Sequence, residues 1–297
     1  MTFVQTTQRF SKPLARLIGA IDSWLTHPIF TQRDVKSATP NGGEVFIVGA
    51  GPGDAQLLTL KAYQLLQSAD VVLFDWLVDE SVLALIPRHV KREFVGKRSG
   101  KHSMAQSAIT QRMVALAQRG NRVVRLKGGD PAVFARTVEE TDALTDAQIP
   151  FAIVPGITTA SGASAFTGIP LTERECAQGV RLITAHQKNA EAEPDWQQLA
   201  ASLNNETLVF YMGLKKLPTI GRRLLNQGVS PSMPCAVIDR ACCHDQRIVK
   251  GQLGDITTRV NQADLKGPAL LIFGHVVDKQ QGVCTDLLSK VGQIHGV

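Results

Sequence analysis

The stretch Glu44-Val-Phe-Ile-Val-Gly-Ala-Gly-Pro-Gly-Asp54 constrains this chain more than any other. Val45 to Val48 form an unbroken run of β-branched and aromatic residues, the composition of a buried strand. Gly49, Gly51 and Gly53 follow at once, where a backbone can turn sharply and approach a ligand. From Asp54 onward, Leu58, Ala62, Leu65, Leu66 and Ala69 fall at helical spacing, and Asp is a favoured helix N-cap. Strand, glycine turn and helix in that order make the geometry of a nucleotide-type site in an α/β protein. The motif departs from the dinucleotide fingerprint, whose third glycine would stand where the chain has Asp54. A tight turn that binds nothing is the competing reading.

The alternation continues beyond this stretch. Strands are predicted over residues 71–74, ending at Asp75, and over 94–95, 122–126 and 151–154. Helices are predicted over 77–85, 107–118 and about 131–147, the last with Asp130 as N-cap and Pro131 at its first position. Strands alternating with helices predict a mostly parallel sheet, with ligands beyond the carboxyl ends of its strands. Those ends carry 49–54, Asp75, 96–102, 128–130 and 155–159, a convergence that favours a site over a bare turn. Small and polar residues over 157–170 predict a closely packed helix bridging two halves. Strands over 180–184, 207–212, 235–238, 247–250 and 269–273, with helices only over 194–202 and 216–227, predict a mixed second sheet. The expected organisation is an N-terminal extension and linker over 1–43, α/β domains over 44–156 and 157–280, and a tail over 281–297. Within the extension, Leu14, Leu17, Ile18, Ile21 and Trp24-Leu25 suggest one amphipathic helix.

Composition narrows the classes. No apolar run approaches the roughly 18 residues of a membrane span, so no membrane partner is expected. Five cysteines, with no C-x-x-C pair, argue against a disulfide framework and for a reducing cytoplasm. Cys242-Cys243-His244 lacks a second ligand pair at zinc spacing, so no metal is expected. The net charge of +6 is modest, but Arg88, Lys91, Arg92, Lys97, Arg98 and Lys101 cluster against Glu93 alone. Such a cluster attracts a polyanion, either nucleic acid or a small molecule with many carboxylates. An aromatic share of 5%, with no stacking residues inside the cluster, weakens the nucleic-acid reading.

Seven motifs in register carry a resemblance: Val48-to-Asp54, Asp70-to-Asp75, Val95-Gly-Lys-Arg98, Val124-to-Pro131, Val154-to-Thr158, Gly168-to-Thr172 and Val209-Phe-Tyr-Met-Gly213. Together they resemble the tetrapyrrole methylases, and within them the enzymes acting on uroporphyrinogen III, over residues 44–277. The resemblance implies two α/β domains in a homodimer, with S-adenosyl-L-methionine in the cleft between the domains. It implies two successive methyl transfers to uroporphyrinogen III, giving precorrin-2. The bifunctional relatives' extra dehydrogenase/ferrochelatase activity is not expected of a chain with only residues 1–43 ahead of the match. The cofactor contacts it implies are Pro52, Gly128, Gly129, Asp130, Val133, Thr158, Thr159, Met212 and Ala241. It implies Asp75 as proton acceptor and Lys97 as proton donor, with Arg136 as an alternative base. Arg98 and Glu139 are the implied substrate contacts. Thr137 and Val138 replace two glycines of the family's Arg-Gly-Gly-Glu motif, Lys101 stands where many relatives have tyrosine, and residues 239–244 depart from the usual stretch around Ala241. The alternatives are another precorrin methyltransferase and a nucleic-acid- or protein-modifying methylase of the same superfamily.

Overall fold

The computed structural model describes residues 42–96, 105–186 and 193–289. The helix expected in residues 14–25 and the end of the tail, 290–297, lie outside the described residues.

The first half runs β1 (Glu44–Gly49), α1 (Leu60–Ser68), β2 (Val71–Phe74), α2 (Glu80–Ala84), β3 (Lys91–Phe94), α3 (Gln106–Ala117), β4 (Arg122–Lys127), α4 (Thr137–Asp146) and β5 (Phe151–Val154). All five strands are parallel, in the order β3-β2-β4-β1-β5. One face packs Val48, Val72 and Val124 under Ala62 and Leu66 of α1 and Val82 of α2. The other packs Ile47, Leu73 and Val123 under Met113 of α3 and Leu144 of α4. Central parallel strands are buried on both faces, which explains the continuous apolar runs of β1 and β2.

Three helix starts differ from the sequence expectation, α2 beginning at Glu80 behind an Asp79 cap and not at 77. Asp54 caps only a short 3₁₀ turn, Ala55–Leu57, its carboxylate accepting from the Gln56 N–H at 2.8 Å. Helix α1 starts later, where the Thr59 hydroxyl accepts from the Ala62 N–H at 3.1 Å. Nor does Asp130 cap α4. Phe134 and Arg136 are left-handed, with φ of 50° and 56°, so the helix begins only at Thr137.

The second half runs α5 (Thr159–Thr167), β6 (Gly179–Thr184), α6 (Trp196–Ser202), β7 (Glu206–Tyr211), α7 (Leu217–Asn226), β8 (Pro234–Asp239), β9 (Arg247–Gln252), α8 (Ile256–Ala263), β10 (Ala269–Phe273) and α9 (Asp286–Ser289). The sheet order is β6-β7-β10-β8-β9; only β6 and β7 are parallel, so the sheet is mixed as expected. Helix α8 goes beyond the sequence expectation. Its short amphipathic pattern buries Ile256 and Val260, one helical turn apart.

Helix α5 joins the halves. Ala160 and Ala163 pack with Val209, Ala236 and Ile272 of the second sheet, and Leu57 from the β1 loop packs on the same cluster. A Cβ added to Gly162 would lie 2.6 Å from Pro52 Cγ and 2.7 Å from Cys242 Sγ. The bridging helix inferred from its small residues is therefore present, and its smallness is what admits one neighbour from each half.

Candidate active site

Strands β1 and β4 are neighbours, yet the chain leaves them for opposite faces of the sheet: α1 covers one, α4 the other. Such a divergence opens a crevice at the carboxyl ends. There Gly51 and Gly129 exchange both backbone hydrogen bonds, at 3.1 and 2.8 Å. Gly129 has φ of +70°, a conformation that side chains strain against, and a Cβ built on it would stand 3.7 Å from Thr159 Oγ1. That leaves an open backbone surface facing the start of α5. Asp130 ties the β4 and β5 loops together: Oδ1 accepts from the Ala132 N–H at 2.7 Å and Oδ2 from the Gly156 N–H at 2.9 Å. A carboxylate has about four acceptor sites, so both oxygens retain capacity for a ligand hydroxyl. Gly128 also has a packing reason to lack a side chain. The space a Cβ would take there is filled by Leu77, 2.6 Å away.

Across the crevice, Tyr211 ends β7. Its hydroxyl shares a 2.7 Å hydrogen bond with Thr158 Oγ1 and accepts from the Ala160 N–H at 3.0 Å. The Thr158 side chain does not cap α5, so Tyr211 satisfies an amide that a cap residue would otherwise take. Burial, the largest influence, holds the Tyr211 phenol above its ordinary pKa. Its ring meets Phe134 from the β4 loop, with centroids 5.1 Å apart. Met212, next in the chain, is left-handed at φ 57° and 53% exposed. Such backbone in a bulky residue costs of order 1–3 kcal/mol and clusters at functional sites. Val133, Thr158 and Thr159 are half-buried around this seam, as is Pro52, whose ring lies against α5. Ala241 is buried in the second-half cluster, where only its backbone can serve a ligand.

Asp75 stands at the carboxyl end of β2, its side chain 19% exposed. Oδ1 accepts from the Leu77 N–H at 3.1 Å and Oδ2 from Arg125 Nη2 at 3.2 Å. Behind it lies a feature that sequence reasoning missed. Arg125 Nε donates to Glu140 Oε1 at 3.1 Å, Lys127 Nζ to Glu140 Oε2 at 2.6 Å, and Gln106 Nε2 to Glu140 Oε1 at 3.1 Å. Glu140 is fully buried. Burial, the largest influence, pushes the Lys127 ammonium below its ordinary pKa, and Glu140 opposes the fall. A signal for this network was present: Arg125 and Lys127 alternate on one face of a central strand, where a buried cation demands an acid.

Arg136 and Glu139 form an exposed bidentate pair, at 2.8 and 2.6 Å. The hydrogen bond to Glu139 raises the Arg136 pKa above the ordinary arginine value. Lys97, Arg98 and Lys101 lie outside the described residues. The rest of the basic cluster is at the wrong end. Lys91 and Arg92 open β3, Arg88 precedes it, and the Arg92 guanidinium donates to the Ile86 carbonyl. As for metal, Cys242 and Cys243 face different neighbours, Gly162 and Gly53, and His244 is exposed. Burial raises the two thiols to about 12 and about 11, so neither is a thiolate at neutral pH. Among the described residues, no three His, Cys, Asp or Glu side chains converge on a metal position.

Residues 44–257 match the family model of the Tetrapyrrole (Corrin/Porphyrin) Methylases. The chain belongs to the tetrapyrrole methylases. Its curated relatives include a siroheme synthase of Hahella chejuensis, 47% identical over 81% of this chain and 51% of that protein. Another is siroheme synthase 2 of Klebsiella pneumoniae, 51% identical over 79% of this chain and 50% of that protein. The chain thus spans about half the length of the curated relatives it matches. Among solved structures, a uroporphyrin-III C-methyl transferase from Thermus thermophilus, complexed with S-adenyl homocysteine, matches over 80% of this chain and 100% of its own. The TM-score is 0.68 and the identity 39%. A cobalt precorrin-4 methyltransferase of cobalamin biosynthesis reaches a TM-score of 0.70 at 27% identity. The chain shares the α/β fold of these methyltransferases.

Proposed function

We propose that this tetrapyrrole methylase is an S-adenosyl-L-methionine-dependent uroporphyrinogen-III C-methyltransferase. It adds two methyl groups in succession to give precorrin-2 and S-adenosyl-L-homocysteine. The observation that carries the reading is the 39% identity to the Thermus uroporphyrin-III enzyme across that enzyme's whole length. The precorrin-4 methyltransferase has nearly the same TM-score, so the fold does not choose between the acceptors; its 27% identity is what favours the first.

The residues present suit the methyl donor. Gly129 offers an uncovered backbone, Thr158 and Thr159 offer hydroxyls, Asp130 retains acceptor capacity for a ribose, and Met212 presents exposed left-handed backbone. Pro52, Gly128, Val133 and Ala241 complete the proposed cofactor contacts, Gly128 through its backbone polar groups. The donor supplies an already activated methyl group, so the protein's task is alignment and exclusion of water. Around the strand ends Trp76, Leu77, Phe94 and Phe134 are exposed, a non-polar surface for a macrocycle. Asp75 is the proposed proton acceptor when the alkylated ring loses its proton. Lys97 and Arg98 keep their roles as donor and carboxylate contact. Arg136, held by Glu139, is assigned to a substrate carboxylate, which a planar guanidinium grips well.

The reading includes a homodimer. Phe151 and Ile153 on edge strand β5, and Val180 and Leu182 on edge strand β6, are apolar and exposed. Exposed edges of that kind are normally covered. A cytoplasmic setting accords with five free cysteines; among the described residues no helix is long and apolar enough to cross a membrane.

The test is anaerobic incubation with uroporphyrinogen III and S-adenosyl-L-methionine, with mass spectrometry of the tetrapyrrole and sedimentation of the protein. A gain of two methyl groups by a two-copy particle is expected. No methylation of reduced, intact substrate by protein that binds the donor moves the function to another acceptor.

A further inference from the structure

We propose that Arg125, Glu140 and Lys127 are positioning residues for Asp75, a buried charge relay that fixes the orientation of its carboxylate at the mouth of the crevice. The proposal rests on the reading of Asp75 as proton acceptor.

The relay occupies the sheet face otherwise filled by Ile47, Leu73, Val123, Met113 and Leu144. Burying charged pairs there is an expensive way to fill space, since apolar replacements of similar volume are often as stable or more so. Stability alone therefore does not account for the network. Its geometry has a direction. Side-chain exposure is 4% at Lys127, 0% at Glu140 and 4% at Arg125, then 19% at Asp75, the one member that reaches the crevice. Every polar atom of the Arg125 head is committed: Nε to Glu140, Nη1 to the Leu126 carbonyl at 2.9 Å and Nη2 to Asp75. A guanidinium held at three points is a rigid donor. With the Leu77 N–H on the other oxygen, it leaves the Asp75 carboxylate little rotational freedom. Glu140 orients Arg125, and Lys127 with Gln106 orients Glu140. The anchor comes from α3 and α4, so the aim of Asp75 depends on helices on the far side of its strand.

The test is a double-mutant cycle of Asp75→Asn and Arg125→Lys. Lysine keeps the charge but cannot span Glu140, the Leu126 carbonyl and Asp75 together. Each protein is followed by kcat, KM for the tetrapyrrole, S-adenosylhomocysteine affinity by calorimetry, and thermal melting. Arg125→Lys is expected to lower kcat roughly tenfold to a hundredfold, the usual cost of losing an orienting partner, with KM and affinity within about threefold. In the Asp75→Asn background it is expected to lower kcat less than about twofold further, because the two residues act as one. Full kcat in Arg125→Lys, or losses that multiply, overturns the proposal while leaving Asp75 its role. Full kcat in Asp75→Asn overturns the reading of Asp75 itself and the relay with it. Should Arg125→Lys fail to fold, Glu140→Gln takes its place in the cycle, where a coupled loss of kcat supports the relay and full kcat or multiplying losses overturn it.

Discussion

At the scale of single residues, Tyr211 makes the most specific claim. Its hydroxyl takes the place of an N-cap for α5 and grips Thr158. Tyr211→Phe keeps the ring against Phe134 but leaves Thr158 Oγ1 and the Ala160 N–H without that partner. Losing a cap or a half-buried hydrogen bond costs about 1–2 kcal/mol. The variant should melt several degrees lower and bind S-adenosylhomocysteine more weakly, since Thr158 and Thr159 lie in the turn it fixes. Unchanged melting and affinity would sink this role. The places of Asp75, Gly129, Thr158 and Met212 are legible in the sequence, because all four follow the carboxyl ends of strands. Glu140 is not. Two acids stand side by side, and the exposed Glu139 satisfies the motif, while only the fold brings Glu140 to Arg125 and Lys127.

Elements differ in how much of themselves they announce. The strands are recoverable because β1, β2 and β4 are buried on both faces: β1 and β2 carry unbroken apolar runs, and β4 is broken only by Arg125. Helix starts are less so. Asp54 and Thr59 both cap, and only tertiary packing decides that the helix begins at the second. The left-handed Phe134 and Arg136 likewise have no local signature. Helix α5 yields a prediction with opposed signs. In an isolated helix, Gly162→Ala stabilises by up to about 1 kcal/mol. Here the added methyl meets Pro52 and Cys242 at 2.6 and 2.7 Å, and overpacking of that kind costs roughly 1–3 kcal/mol. Packing should win, giving a lower melting temperature and a displaced glycine turn with weaker S-adenosylhomocysteine binding. A more stable Gly162→Ala variant with unaltered affinity would show that the halves meet less tightly at α5 than described.

For the whole molecule, the site is a product of topology. Divergence at β1 and β4 opens a crevice on the first sheet, and α5 carries the chain to a second sheet whose β7 ends at the same place. Alternating elements make the parallel sheet legible, and the scarcity of helices makes the mixed one so. The meeting of Phe134 with Tyr211 could not be read, because contacts between distant segments leave no periodic trace. In the proposed function, methyl donor and tetrapyrrole share this crevice. The most direct measurement is a crystal structure of the protein with S-adenosylhomocysteine and a uroporphyrin-type tetrapyrrole bound. The nucleoside is expected against Gly129, Asp130, Thr158 and Met212, with the macrocycle edge facing Asp75. Either ligand bound on another face, with Asp75 remote from the ring, would contradict it.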